Sequence, residues 1–553
     1  MYQPDLSPIA DSLGLSALVA ALPLLTLFVL LGGLRMKAHW AGLVSLAVAV
    51  LVAVAGYGMA PGLALLSATQ GAAFGLFPIM WIVLTAIWVY QLTVVSGRFE
   101  DLRRAFGLIS DDPRIQAVII AFCFGGLLEA LAGFGAPVAI TGVMLMALGF
   151  SPVRAAITVL VANTAPVAFG AIAIPIITAG ELTNIPYTEI GAYVGRQTPL
   201  LALFVPLLLV ALVDGRRGVR QTWPAALVCG AAFGLAQFVS ANYISVELTD
   251  IIASLIGLAA LVVFLRVWKP QGGQDAKASL KAATEKELGT EAAEAQAAAN
   301  ADSDRREGSL LMAFLPYLII IAIFSLAKLW TPLKEFLAST DVKIPWPGLD
   351  GNILNAAGDV VGSTVYTLPW LSSPGTLLLI SGVLVALVYK VDPATTVREF
   401  GGTVTKLRWA LLTVATVLAL AYVLNMSGQT ITMGTWIAGT GAAFAFLSPI
   451  LGWLGVAVTG SDTSANALFA TLQQAAAAKA GLDPTLLVAA NTSGGVVGKM
   501  ISPQNLTIAA TAVGLVGKES QLFRGAIKWS LGLLLAMCVL VYLQSNVLAW
   551  MLP

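Results

Sequence analysis

Four ionisable side chains stand in sequence apolar enough for a bilayer: Glu129 in GGLLEALAGFGAPVAI, Asp462 in TGSDTSANA, Lys499 in GGVVGKMISPQN and Arg196 in GAYVGRQTPLL. A charge at membrane midplane costs at least about 2.5–3.5 kcal/mol, so each needs a partner or a purpose. Desolvation favours the neutral form of a carboxyl, so Glu129 and Asp462 are the candidates to carry a proton. Lys499 can pair the carboxylate of a small solute, and an Asp462–Lys499 ion pair is the structural alternative. Arg196 sits nearer a span end, where a long cationic side chain snorkels to water.

Around these charges lie groups suited to an organic anion. Gly133, Gly135 and Pro137 interrupt an apolar stretch. An opened turn survives in hydrocarbon only where protein, water or ligand satisfies its backbone groups. Half-helix N-termini made in this way offer N–H donors and partial positive charge to a carboxylate. Ser461, Thr463 and Ser464 add hydroxyls on the opposing stretch. Asn163–Thr164 and Asn491–Thr492–Ser493 are expected to interrupt the spans facing each break, with Pro166 and Gly494–Gly495 marking the unwinding. The candidate substrate-binding set is thus Gly133, Gly135, Asn163, Thr164, Ser461, Thr463, Ser464, Asn491, Thr492, Ser493 and Lys499. The candidate proton-coupling residues are Glu129 and Asp462. Polar residues of this kind also serve helix–helix packing, but their recurrence at matched places, described below, favours a site.

The elements that hold these residues follow from composition. Of 553 residues 58% are hydrophobic and 11% charged, which makes an all-α, polytopic membrane protein of repeated apolar runs near the roughly 20 residues that cross a bilayer. The first dozen residues lack the basic stretch of a secretory signal, so the first run is read as a retained span. A net charge of +1 argues against a nucleic-acid partner. Cys123, Cys229 and Cys538 show no metal or disulfide spacing and read as buried small hydrophobes. A single histidine, His39, excludes bis-histidine haem, and no phosphate-binding loop is present. No metal or organic cofactor is implied, and nothing fixes an oligomeric state.

Apolar runs give about twelve spans, at 13–34, 39–59, 74–95, 154–176, 190–213, 224–242, 247–268, 310–330, 369–390, 405–427, 485–511 and 522–549. Two further stretches, 115–149 and 432–470, are read as re-entrant hairpins. Basic residues recur in alternate loops, at Arg35 and Lys37, at Arg98, Arg103, Arg104 and Arg114, and at Arg216, Arg217 and Arg220. The positive-inside rule puts those loops in the cytoplasm and both termini outside. The hydrophilic segment 269–309 then falls inside as a solvated, partly helical linker.

The chain also repeats itself. LTVVSG (92–97) and VLNMSG (423–428) each close a span before a hairpin, and VANTAPVAFG (161–170) matches AANTSGGVVG (489–498). Two units follow, 13–213 and 310–549, each with a hairpin and a broken helix at 154–176 or 485–511, joined by the helix pair at 224–268. Five spans per unit is odd, so the copies must face opposite ways. Inverted repeats with interrupted helices are the architecture of secondary transporters, whose site lies where the breaks meet.

GGLLEALAGFGAPVAI, NTAPVAFGAIAIPI, GWLGVAVTGSDTSANALFATLQ and LLVAANTSGGVVGKMISPQNLTIA together resemble the bacterial L-lactate permease family. The resemblance implies proton-coupled import of lactate and glycolate across the bacterial cytoplasmic membrane, with a small monocarboxylate, protons and lipid as the partners. Family members read E-G-A-A-G-F-G where this chain has EALAGFG, with Leu131 beside the hairpin tip. The rival reading is a sodium-coupled carboxylate or dicarboxylate carrier of similar architecture.

Overall fold

The computed structural model describes residues 1–34, 36–99, 101, 109–133, 135–288, 310–355, 358 and 360–553. Part of the linker (289–309) and the basic residues Arg35, Arg103 and Arg104 lie outside the described residues. Among those described, nine helices are long and apolar enough to cross a membrane, or eleven if each of two bent pairs is one span.

The count differs from the expected twelve because some expected spans share one helix, 369–390 and 485–511 yield only shorter helices, and Pro113–Leu131 and Gln429–Thr459, in stretches read as hairpins, are long enough to be counted. Residues 198–244 read as one 47-residue helix, but Asp214 and Gly215 leave helical geometry, Gly215 at φ +61°. The bend, next to Arg216, Arg217 and Arg220, thus divides the run into two legs where 190–213 and 224–242 are expected, the first starting only at Thr198 because Tyr187–Val194 is a separate helix. Pro61–Val95 likewise runs for 35 residues, broken at Phe77. The run expected at 369–390 yields only Pro374–Val388.

Helix starts follow capping chemistry. Asp112, Ser151, Asp483 and Ser502 each precede a proline at the first helical position, where proline loses no hydrogen bond and is already in helical φ. Ser96–Gly97 and Ser427–Gly428 stop the two matched spans, both glycines turning left-handed at φ +75° and +86°.

The first interruption lies where expected. A leg running through Pro113–Ala117, Val118–Phe124 and Gly125–Ala132 stops at Gly133, and Ala136–Ala147 returns from Gly135 at φ +89°. The second is displaced by about ten residues from 432–470. Its legs are Phe444–Thr459 and Asp462–Ala480, turning at Gly460 and Ser461. Gln429–Ile437, inside the expected hairpin, is instead a short separate helix.

The first broken helix is Pro152–Ala162 followed by 167–183, bent by 64°. The second breaks later than expected. Pro484–Gly498 is uninterrupted through Asn491, Thr492, Ser493, Gly494 and Gly495, and the chain unwinds only at Lys499–Ser502 before Pro503–Ala512. The reason is steric. A Cβ at Gly494 would overlap the Pro449 carbonyl, and one at Gly498 would lie 2.5 Å from Trp453 O. These glycines let two backbones touch, as small residues do in membrane helix pairs.

Segment 273–288 is a helix that docks on the protein rather than a free spacer. Thr284 Oγ1 donates to Gly149 O at 2.8 Å, and Arg114 Nη2 donates to Gln271 O at 2.6 Å. Both outer ends of the first hairpin therefore meet the same segment.

Candidate functional site

The two hairpin tips share one small cavity. Its walls are Glu129 and Gly133 from the first hairpin, Gly460, Ser461, Asp462 and Thr463 from the second, Lys499 from the second break, and Val167, Gly170, Ala171, Ile174 and Pro175 from the first broken helix. The free space is about 40 Å³, room for roughly three water-sized groups.

Lys499 is the charge centre. Its Nζ lies 2.5 Å from Glu129 Oε1, with side chains 9% and 3% exposed. Asn163 Nδ2 donates to the other carboxylate oxygen, Glu129 Oε2, at 2.8 Å. Asn163 caps the C-terminal end of Pro152–Ala162, so the first break holds its amide where a helix interior would not. Asn505 Nδ2 and Ser502 Oγ both donate to the Lys499 carbonyl, at 3.0 Å each. The opened turn thereby satisfies its own backbone while its side chain faces the cavity.

Asp462 faces the same space without a partner. It is 4% exposed, and neither carboxyl oxygen has a hydrogen bond among the described residues. It opens the helix Asp462–Ala480, whose N-cap Ser461 accepts from Ser464 N at 3.2 Å. The first-turn amides of Asp462 and Thr463 have no acceptor a turn earlier, so this helix end presents donors to the cavity.

The opposite wall is strained. After Gly170 the backbone turns left-handed for three residues, Ala171, Ile172 and Ala173, at φ +46°, +60° and +58°. That conformation costs about 1–2 kcal/mol per non-glycine residue, and such strain concentrates at ligand clamps. A Cβ on Gly170 would sit 2.9 Å from Glu129 Oε1, so the bare backbone there makes room for the ion pair.

A family model described as L-lactate permease matches residues 16–548. The chain belongs to the L-lactate permease family. It is a multi-pass membrane transporter and not an enzyme. Similar relatives include the L-lactate permease of Bacillus subtilis (strain 168), 44% identical over 99% of each chain. The glycolate permease GlcA of Escherichia coli (strain K12) is 42% identical over 100% of this chain and 99% of its own. The L-lactate permease of the same strain is also 42% identical, over the whole of both chains.

In this L-lactate permease family member the expected site residues divide into two groups. Glu129, Gly133, Ser461, Asp462, Thr463 and Lys499 line the cavity, and Asn163 reaches it through Glu129. Gly135 shapes the first tip and Ser464 the first turn of the second. Asn491, Thr492 and Ser493 do not reach the cavity. Asn491 Nδ2 donates to Asn466 Oδ1 at 2.8 Å, Thr492 Oγ1 accepts from Asn466 Nδ2 at 2.9 Å, and Ser493 Oγ donates to Gln197 Oε1 at 2.6 Å. They fasten helices together. Thr164 is buried, and its hydroxyl has no partner among the described residues.

The wall 167–175 was missed by pattern reading. Its signal is Gly170 with Pro175 five residues later inside an apolar run, a pairing that marks a second distortion after the one at Asn163. Arg196, read from sequence as snorkelling near a span end, lies outside the cavity lining and donates to Asn242 Oδ1 at 3.0 Å and Met551 O at 2.9 Å. The apolar runs of Cys123 and Cys229 prove adjacent, their sulfurs 3.5 Å apart and buried.

Proposed function

We propose that this permease imports L-lactate, with glycolate or D-lactate also accepted, in symport with protons across the bacterial cytoplasmic membrane. The observation that carries the reading is the buried Glu129–Lys499 pair at a cavity between the two hairpin tips. Lactate and glycolate permeases stand at nearly equal identity to this chain, which supports both substrates.

The coupling follows from counting charge. Empty, Lys499 and Glu129 cancel. A 2-hydroxy carboxylate entering the cavity takes Lys499 as its counter-ion and leaves Glu129 an unpaired anion in a dry site. A proton on Glu129 restores neutrality. The empty site and the doubly loaded site are both neutral, while either half-loaded form carries a net charge and meets the full cost of crossing hydrocarbon. Asp462, buried and unpartnered, is the second carboxyl able to take that proton; the count above holds it neutral, and with Asp462 as the carrier the empty and doubly loaded sites share one negative charge instead. The amides and hydroxyls of Ser461 and Thr463 then orient the substrate carboxylate, and Asn163, released from Glu129, faces the 2-hydroxyl.

Two features support opposed halves, 13–213 and 310–549; the placement of both termini outside rests on the basic loops alone. The second half of each broken helix packs on the returning leg of the other hairpin, Gly170–Thr183 on Asp462–Ala480 and Pro503–Ala512 on Ala136–Ala147. The outer ends of the first hairpin meet the segment 271–288, whereas Asp483, beyond the second, is held by Tyr193 at 2.7 Å.

Uptake into proteoliposomes under separately imposed proton and sodium gradients tests the reading, with lactate, glycolate and succinate as competitors. Proton-driven, sodium-independent accumulation blocked by glycolate and not by succinate is the expected result. Sodium-driven uptake would move the protein to the sodium-coupled alternative. Glu129→Gln should lose proton-driven accumulation and keep counterflow exchange.

A further inference from the structure

A second concave site lies at the bend that joins the two legs of Thr198–Val239. Gly215 leaves helical geometry there at φ +61°, and the chain winds back into a helix directly after it. Arg216, Arg220 and Trp223 then fall at i, i+4 and i+7, so they share one helix face. Trp268, where Thr249–Val267 ends, lines the same pocket with Arg217 and Gln221. Its volume is about 630 Å³, far larger than the space beside Lys499.

The arginines of this pocket are unequally provided for. Arg217 Nη2 lies 2.6 Å from Asp214 Oδ1, and Asp214 also pairs Arg114 at 3.2 Å. Arg217 further donates to Ser279 Oγ of the docked helix at 2.8 Å, and Asp275 is the other acid whose charge acts on it. Arg216 and Arg220 have neither an ion pair nor a hydrogen bond among the described residues. A single exposed arginine is ordinarily just solvated. These two instead share one concave wall with two indoles. Trp223 is 50% exposed, and Trp268 is stacked on Phe264 with ring centroids 5.5 Å apart.

The place of the pocket indicates its ligand. It stands where the apolar legs 198–213, 224–239 and 249–267 end together, at the depth where tryptophans gather and lipid headgroups lie. The basic loops put this face in the cytoplasm, where the leaflet is anionic and basic pockets between spans take lipid headgroups. Guanidinium forks match phosphate oxygens, and an indole offers an apolar flank beside a polar edge. We propose that the pocket binds an anionic phospholipid, with Arg216 and Arg220 on its phosphate and Trp223 and Trp268 beside its glycerol ester region. Gln221 Oε1 on the pocket wall accepts from Arg114 Nη1 at 2.5 Å. The headgroup therefore rests against the partner of the arginine that opens the first hairpin.

Native mass spectrometry of the full chain in detergent tests this, with phosphatidylglycerol, phosphatidylcholine, glycerol 3-phosphate or inorganic phosphate added. Wild type should retain phosphatidylglycerol and release phosphatidylcholine. Arg216→Gln/Arg220→Gln removes two exposed side chains without touching the Arg217–Asp214 pair, so the protein should fold normally and retain the lipid on the order of 10-fold less. Lys406→Gln/Arg408→Gln takes the same charge from exposed positions outside the pocket and should retain it as wild type does. Equal loss in both double variants marks diffuse charge attraction and overturns the site, as does undiminished retention in Arg216→Gln/Arg220→Gln. Equal retention of phosphatidylcholine overturns the anionic headgroup. Displacement of phosphatidylglycerol by glycerol 3-phosphate or inorganic phosphate assigns the pocket to a soluble phosphate compound and overturns the lipid. None of these outcomes depends on which solute or coupling ion is carried.

Discussion

Lys499 Nζ and Glu129 Oε1 lie 2.5 Å apart although 370 positions separate them in the chain. Each is the other's counter-ion in a nearly dry site, so removing one leaves a bare charge worth about 3–5 kcal/mol of destabilisation. Lys499→Gln should therefore unfold at clearly lower temperature in detergent and show no lactate uptake. The Glu129→Gln/Lys499→Gln double variant should regain most of the lost stability and none of the proton-driven transport. A double variant no more stable than the worse single one would show that the two charges do not stabilise each other.

Asn163 bridges the first break to that ion pair. A hydrogen bond to a charged group contributes about 1.5–3 kcal/mol, so Asn163→Ala should slow lactate uptake by about 10- to 100-fold in a protein that still purifies monodisperse. Asn163→Asp should be worse, because it sets a second anion beside Glu129 Oε2. Initial-rate uptake at matched protein density decides it, and an Asn163→Asp rate above that of Asn163→Ala would contradict the geometry.

The tip of the first hairpin depends on a residue without a Cβ. Gly135 sits at φ +89°, and an added methyl would run into the Cδ1 of Ile508 on the second broken helix. Gly135→Ala should thus destabilise through both backbone strain, about 1 kcal/mol, and the clash. Adding Ile508→Ala relieves only the clash. A thermal-stability cycle over the two positions should show partial rescue, and full additivity would mean that the tip and the second break do not touch.

How much of this was legible in the chain depends on whether a feature is local. The first hairpin turn at Gly133 and Gly135, the first break at Asn163 and the Ser-Gly stops at 96–97 and 427–428 are written in adjacent residues, and each lies where its sequence puts it. The pairing of Lys499 with Glu129 is not local. Read from sequence, the ion-pair partner for Lys499 is Asp462, nearer in the chain; folding sets the first hairpin against the second break, so Glu129 takes the pair and Asp462 is left without a partner among the described residues. The error at Asn491–Gly495 has a different origin. Glycine in a membrane span signals either an opened turn or a close backbone approach, and only the neighbour, Pro449 on the facing helix, tells which. Ser502–Pro503 was the local signal of the true break, a cap followed by proline at the first helical position.

That distinction yields a last prediction. Asn491, Thr492 and Asn466 join the second hairpin to the helix beside it by side-chain hydrogen bonds, with Gln473 Nε2 donating to Asn491 Oδ1 at 3.2 Å and Asn466 Nδ2 reaching also to Pro175 O at 2.9 Å. Truncating one member strands buried partners, at about 1–3 kcal/mol. Asn491→Ala should therefore lower thermal stability and yield, while the folded fraction keeps a lactate KM within about threefold of wild type, a difference under 1 kcal/mol. Ser461→Ala should do the reverse, since its hydroxyl caps the helix end that faces the cavity: the KM rises and the unfolding temperature falls by less. Should Asn491→Ala raise the KM as much as Ser461→Ala does, the amide belongs to the substrate and the helix-fastening account of 491–493 fails.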